Sequence, residues 1–256
     1  MDRKEYDSIA SRYDELIPDP EGMMEFYRDI ARTTTGDILE IGCGTGRLSL
    51  LLGQLGHKVM ACDVSPEMIR VAQRKLTNLN NPKCDVEFLV ADVRELSFQR
   101  KFDLVFMPGG VFEYLLTTND QRKALTQISR ILNNRGRLIF DMITPPTLTK
   151  RRTKDARNQL VSSGDAWTYS WVKAQYDHFY QIALRRSFFE VYDASGEMTR
   201  KHCFQFVQRY SNRTEISLIL ELSGFKVENL FGDFDYSPFS RNSEFMIWDV
   251  CPVGQR

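Results

Sequence analysis

The chain has 256 residues, enough for one large domain or two small ones around a sizeable buried core. Its 34 Lys and Arg balance 34 Asp and Glu, and a split at residue 145 leaves 19 basic and 21 acidic residues before it and 15 and 13 after. Neither part is a basic surface, which disfavours nucleic-acid and anionic-membrane partners. A content of 42% hydrophobic and 27% charged residues excludes global disorder. The five cysteines are odd in number and show no C-x-x-C spacing, which argues against a disulfide framework and structural zinc. The charged N-terminus lacks an apolar leader, and no window approaches 18 apolar residues. The expectation is a cytoplasmic globular protein with no membrane partner.

Along the chain, residues 3–33 read as helical, with Pro18 and Pro20 splitting them into two helices. Periods then alternate. Strand-like runs at 37–41, 58–62, 86–90, 102–107 and 137–143 are separated by helix-like runs at 47–55, 66–76 and 119–132. Ser65 is a candidate N-cap with Pro66 in the first turn of its helix. Such alternation predicts a parallel sheet covered on both faces. Residues 144–157 carry two prolines and a basic cluster and read as a connector. Beyond them come β-like runs at 167–176, 179–192 and 199–210, the last two joined by a turn at 193–196. A helix at 214–223 ends at Gly224, and two strands at 225–234 and 244–250 form an antiparallel hairpin on the main sheet. Residues 151–256 hold 19 of the 30 aromatic residues, as a small sheet's own core or as apolar walls for a ligand.

The most informative stretch is Asp37-Ile-Leu-Glu-Ile-Gly-Cys-Gly-Thr-Gly-Arg47, a strand that runs through three glycines into a helix. Glycine lets the backbone turn sharply and approach a ligand, and a helix N-terminus offers free N–H groups to an anion. Asp63 ends the second strand, 17 residues after Gly46, where a carboxylate can accept from a ribose diol. Asp92 ends the third strand. Dinucleotide sites use G-x-G-x-x-G; here the pattern is G-x-G-x-G with Glu40 two residues ahead.

Glu40-Ile-Gly-Cys-Gly-Thr-Gly46 resembles the first motif, E/D-x-G-x-G-x-G, of class I S-adenosylmethionine-dependent methyltransferases, and the resemblance covers about residues 35–145. Tyr6-Asp-Ser-Ile-Ala-Ser-Arg-Tyr-Asp14 is similar to the Y-D-x-x-A-x-x-Y-D segment opening many small-molecule members. The fold implied is α/β: a Rossmann-like, seven-stranded, mostly parallel sheet with helices on both faces, a helical cap and an antiparallel β lid after strand five. The corresponding divisions are a cap at 1–34, a cofactor-binding core at 35–145 and 211–256, and a lid or substrate insert at 146–210.

The resemblance also implies site roles, with S-adenosylmethionine as cofactor. Gly42, Cys43 and Gly44 would lie along its methionine part, Asp63 would bind the ribose, and Val64 and Met68 would flank the adenine. Asp92 and the Val93 N–H would bind the adenine edge, and Met107 would sit near the sulfonium. Tyr6, Arg12 and Tyr13 are candidates for the methionine carboxylate or the methyl region. Glu40 reads as a residue holding the loop, and Cys43 has no nucleophilic role because methyl transfer needs none.

The loop after strand four reads Met107-Pro-Gly-Gly-Val-Phe-Glu-Tyr114, where DNA and protein-glutamine enzymes of the class carry an Asn/Asp-Pro-Pro-Tyr type motif. It looks more like small-molecule N-methyltransferases of the aminosugar and glycine types. Tyr114 and His202 are the catalytic candidates. Glu113, Trp167, Trp171, Tyr180, Tyr210 and Asp233, with Tyr114, are candidates for the acceptor's surroundings. The expected reaction is methyl transfer to nitrogen or oxygen of a small molecule, nitrogen being favoured. Rival readings are a S-adenosylmethionine-binding protein with regulatory or non-methylating activity, and a NAD(P)-dependent oxidoreductase. A homodimer is compatible with the sequence.

Overall fold

The structure is a computed structural model and describes residues 3–145, 158–163 and 166–254. The predicted connector falls, beyond Pro145, outside the described residues.

The main sheet has seven strands in the order β10-β11-β5-β4-β1-β2-β3. These are β1 Ile38–Ile41, β2 Val59–Asp63, β3 Val86–Val90, β4 Phe102–Met107, β5 Leu132–Ile143, β10 Phe225–Phe231 and β11 Phe245–Pro252. The pairs β1–β2, β2–β3, β1–β4 and β4–β5 are parallel, while β11 runs antiparallel to both β5 and β10. Successive strand residues face opposite layers. Leu39, Ile41, Met60 and Cys62 pack toward α6 (Thr118–Ile131) and α7 (Arg213–Leu222). Ile38, Val59 and Ala61 pack toward α3 (Met23–Ala31), α4 (Arg47–Gln54) and α5 (Pro66–Leu79). Both faces are thus covered, as the continuous apolar runs require.

The N-terminal segment differs in detail from two helices. It forms α1 (Arg3–Ile9), a 3-10 turn (Ala10–Arg12), α2 (Tyr13–Leu16) and then α3. α5 begins as its sequence predicts: the Ser65 hydroxyl accepts the Met68 N–H at 3.1 Å, with Pro66 at the first position. Strand β5 starts at Leu132, five residues before its apolar run. Asn133, Asn134 and Gly136 resemble a turn in sequence, but Leu132 already pairs with Phe102 through an irregular register. A Cβ at Gly136 would stand 2.9 Å from the Phe102 carbonyl, so only glycine admits this approach.

The second sheet, β6-β7-β8-β9, comprises Asn158–Ser163, Ala166–Asp177, Ile182–Tyr192 and Met198–Arg209, antiparallel throughout. Strand β6 was not among the predicted elements. Phe189, Phe204 and Phe206 of this sheet pack with Ile9, Ala10 and Leu16 of the N-terminal segment and with Met68 of α5. Cap and lid therefore meet across the top of the main sheet. Among the described residues, no helix is long and apolar enough to cross a membrane.

Candidate active site

Strand order reverses direction at β1: the chain passes to β2 on one side and to β4 on the other. Ligands of open α/β sheets bind beyond the strand C-termini at such a point. A partly open cavity lies there.

The glycine loop forms its floor. Gly42, Gly44 and Gly46 all have left-handed φ values, +73°, +53° and +78°. The Gly42 and Cys43 N–H groups donate to the Cys62 carbonyl at 2.7 and 3.0 Å, which ties the loop to the end of β2. At Gly46 a Cβ would stand 2.7 Å from the Phe88 ring, so this glycine serves helix–sheet packing. At Gly44 the same construction meets only Tyr13, at 3.9 Å, so the space over its backbone is open.

Asp63 is buried beside the loop. One carboxylate oxygen accepts the Gly44 N–H at 2.9 Å and the other the Ser65 N–H at 2.8 Å. Burial pushes its carboxyl pKa up, against the amides of Ser65, Gly44 and Val64. Asp92 is more open. The Arg94 guanidinium grips it from Nε at 3.0 Å and Nη2 at 2.6 Å and holds its carboxyl below the usual range. Val64, Met68, Val93 and Arg94 line the wall between the two acids.

The cap supplies the roof. Tyr6 and Tyr13 line the cavity with ring centroids 6.2 Å apart, and the Tyr6 and Tyr114 hydroxyls are in direct hydrogen-bond contact. Burial raises the pKa of both Tyr6 and Tyr114. Tyr114 is therefore a hydroxyl donor or orienting group rather than a ready phenolate base. Arg47, the first residue of α4, also lines the cavity. Its guanidinium lies 5.2 Å over the Tyr13 ring, pairs with Asp19 at 2.7 Å and donates to the Ile17 carbonyl at 2.7 Å. Sequence reasoning did not single out Arg47 or Asp19; the signal was an arginine directly after Gly46.

Glu40 faces the cavity from β1 and accepts from the Ser49 hydroxyl. Burial pushes its carboxyl up to about 8. Asp141 of β5, also missed, pins the loop after β4. It accepts the Gly109 and Gly110 N–H groups at 2.9 and 3.0 Å and the Tyr27 hydroxyl at 2.6 Å.

Other candidates stand outside the cavity. Met107 is buried in the apolar layer on the α6 side. The Arg12 guanidinium donates to His202 Nε2 at 2.9 Å, which joins cap to lid. Glu113 is only 3% exposed and lies beneath the loop, accepting the Ile143 N–H at 2.6 Å and the Gln208 side-chain amide at 2.8 Å. Burial pushes its carboxyl up to about 7, against the charge of Arg185. Trp167 stacks on Tyr192 and Trp171 on Phe188, centroids 6.1 and 5.0 Å apart, on the lid face opposite to Phe189. Tyr180 is 65% exposed in the β7–β8 turn, and Tyr210 bonds His178 at 2.7 Å near that turn. Asp233 accepts the Phe234 N–H at 2.8 Å. The lid's inward wall is made instead by Phe189, Phe204 and Phe206.

A seven-stranded sheet with one reversed strand, holding a glycine loop at its switch point, is the architecture of class I methyltransferases. Residues 38–136 match a protein-family model described as a methyltransferase domain. A Bacillus subtilis protein named as a methyltransferase is 27% identical over 245 residues, covering 93% of this chain and 94% of its own. The CcbJ methyltransferase of Streptomyces caelestis shares the fold with a TM-score of 0.81 at 21% identity, over 99% of this chain and 100% of its own. CalS10 of Micromonospora echinaspora, an amino pentose methyltransferase solved with S-adenosylmethionine bound, aligns with a TM-score of 0.68 at 17% identity, over 96% and 90%. Over residues 38–136 the chain thus matches a methyltransferase domain, and it shares the fold of S-adenosylmethionine-dependent methyltransferases.

Proposed function

We propose that the chain methylates a nitrogen of a small-molecule acceptor, with the cofactor held in the cavity above the glycine loop. The observation that carries this reading is the bridge from Asp63 to the Gly44 and Ser65 amides under an open backbone surface. The residues present fit the group. The cavity is lined by the glycine loop, both strand-end acids and the cap tyrosines, the donor set that a nucleoside joined to an amino acid requires. Each Asp63 oxygen keeps a lone pair beyond its amide bond, and these would accept from the ribose hydroxyls. The Gly42–Gly44 backbone would run along the amino-acid part, Val64 and Met68 would flank the adenine, and Asp92 with the Val93 N–H would meet its edge. Tyr6 and Tyr13 would close over the methyl end. The likeness to CalS10, an amino pentose methyltransferase, supports a nitrogen acceptor.

S-adenosylmethionine supplies, when bound, an electrophilic methyl group on a positively charged sulfur. The chain's own share is alignment and exclusion of water. Tyr114, held by Tyr6, would orient the acceptor, and a neutral amine needs no further base.

The test is calorimetry of S-adenosylmethionine and S-adenosylhomocysteine on the wild type and on Asp63→Ala, with thermal melting to verify folding. Binding in the micromolar range, weakened at least about tenfold in the variant, is expected. Equal affinity in a folded variant would refute the assignment. Incubation with labelled cofactor and a panel of amines and alcohols then separates nitrogen from oxygen acceptors.

A further inference from the structure

We propose that the acceptor carries an anionic group, a carboxylate or a phosphate, that is held by Arg185 on the inward face of the lid. The proposal rests on the methyltransferase reading above and adds the charge of the substrate.

Arg185 lies in the middle of β8. Register places it opposite Phe206 on β9 and Ala174 on β7. Directly opposed residues share a sheet face, so Arg185 is on the same side as Phe206, and two residues away Phe204 faces Ser187. This is the face turned to the active site. The Phe206 ring packs on Tyr6 at 5.2 Å, and Tyr6 touches the Tyr114 hydroxyl. At the next opposed pair, Ala183 and Gln208, the Gln208 amide reaches Glu113 directly before Tyr114 in the chain. Arg185 therefore stands over the Glu113–Tyr114 turn, on the far side of Tyr6 and Tyr114 from the cofactor cavity.

One of its guanidinium donors is not satisfied there. Nε is buried and has no hydrogen-bond partner among the described residues. A buried donor left unpaired is costly and calls for an explanation. The Glu113 carboxylate feels the Arg185 charge but makes no hydrogen bond to Nε, its two oxygens accepting instead from the Ile143 N–H and the Gln208 amide. Phe189, Phe204 and Phe206 make the apolar part of this wall, which also carries Ser187, His202 and Gln208. A cation with an idle donor, set in an aromatic wall beside the proposed methyl end, is suited to an oxyanion. The planar fork of arginine matches two oxygens of a carboxylate or phosphate. An acceptor anchored there by its acidic end would present its amine toward Tyr114.

The experiment uses the full chain saturated with S-adenosylhomocysteine, titrated separately with acetate and with inorganic phosphate and followed by broadening of the acetate methyl line and of the ³¹P line. The wild-type complex is expected to bind at least one anion, and the arm that responds tells carboxylate from phosphate. Arg185→Met is expected to weaken that binding tenfold or more while S-adenosylhomocysteine affinity stays within about twofold. Arg185→Lys, which keeps the charge without the fork, is expected to fall between, and it carries the test if Arg185→Met fails to fold. Equal anion binding in wild type and variants, or no anion binding to a wild type that holds S-adenosylhomocysteine, would overturn the proposal and leave the methyltransferase reading intact. Failure of the wild type to bind S-adenosylhomocysteine would overturn both.

Discussion

Three glycine-to-alanine substitutions separate space kept for a ligand from space needed for packing. Gly42, Gly44 and Gly224 all have left-handed φ, +73°, +53° and +77°. Alanine in that region costs about 1–2 kcal/mol through its Cβ alone. In a protein of this size about 1 kcal/mol moves the melting temperature by roughly 2–4 °C. Gly224 follows α7 and has no atom within 4 Å of a built Cβ, so Gly224→Ala reports backbone strain alone, a fall of about 2–8 °C. Gly42→Ala adds a clash with the Val111 side chain, whose Cγ1 would lie 2.8 Å away. Overpacking of that kind costs about 1–3 kcal/mol more, which brings the loss to about 2–5 kcal/mol. Gly44→Ala meets only Tyr13 at 3.9 Å, so its melting temperature should fall no further than that of Gly224→Ala.

Affinity should rank differently from stability. The Gly44 methyl would occupy the open surface above the loop, where the cofactor is proposed to lie against the backbone. S-adenosylhomocysteine affinity, read by calorimetry, should drop at least about tenfold, or 1.4 kcal/mol, in Gly44→Ala and stay unchanged in Gly224→Ala. Wild-type affinity in Gly44→Ala would refute the placement of the ligand. A Gly42→Ala protein as stable as Gly224→Ala would refute the packing role of Val111.

Glu40 should make the protein less stable as pH rises: its folded pKa is raised to about 8, so the stability contribution present below the unfolded value near 4.5 is lost as pH climbs through 8. Denaturant melts from pH 5 to 9 should show Glu40→Gln gaining on the wild type by a few kcal/mol, at about 1.4 kcal/mol per unit, and a constant difference would contradict the burial argument. His202 acts with the opposite sign. Desolvation and Arg12 lower its pKa, so stability from its neutral form is lost as pH falls below about 6.5, and His202→Gln should flatten the acid side of the melting profile. Tyr114→Phe removes the partner of the Tyr6 hydroxyl, a change of about 1–3 kcal/mol. It should lower kcat roughly 10- to 100-fold with S-adenosylhomocysteine affinity nearly unchanged, and an equal loss of both would assign Tyr114 to cofactor binding instead.

What could be read from the chain was what lies close together along it. The parallel strands announce themselves because they are buried on both faces, and the glycine loop, Asp63 and Asp92 sit at consecutive strand ends, where folding must gather them. The lid defeated the same reasoning for a physical reason. Both of its faces carry aromatic residues among polar ones, so a period of two does not say which face turns inward. Trp167 and Trp171 pair with Tyr192 and Phe188 on the outward face, while the inward face falls to Phe189, Phe204 and Phe206. A one-residue shift of register would exchange the two sets. Contacts such as Arg12 with His202, 190 residues apart, or Tyr27 with Asp141 carry no local signal at all.

The walls of the cavity differ in how they are held, and that difference has mechanistic content. Its floor belongs to the main sheet, whose two apolar layers bury Phe102, Phe106, Phe140 and Trp248 almost completely. Its roof, α1 with the turn after it and α2, is fastened largely by polar contacts. Asp7 accepts from the Ser65 hydroxyl at the start of α5, Asp14 from Thr45 of the glycine loop and from Lys75, and Tyr6 meets Tyr114. The apolar cluster beneath this roof is small and shared with the lid. Elements with few buried apolar contacts open at lower free energy than the core, so the cap is the wall expected to open first. Tyr6 then faces two ways, toward the cavity through its ring and toward Tyr114 and Phe206 of the lid. A ligand that holds the cap shut also positions Tyr114 and the lid face bearing Arg185. By linkage, an acceptor seated on that face must tighten the cofactor by the same factor that the cofactor tightens the acceptor.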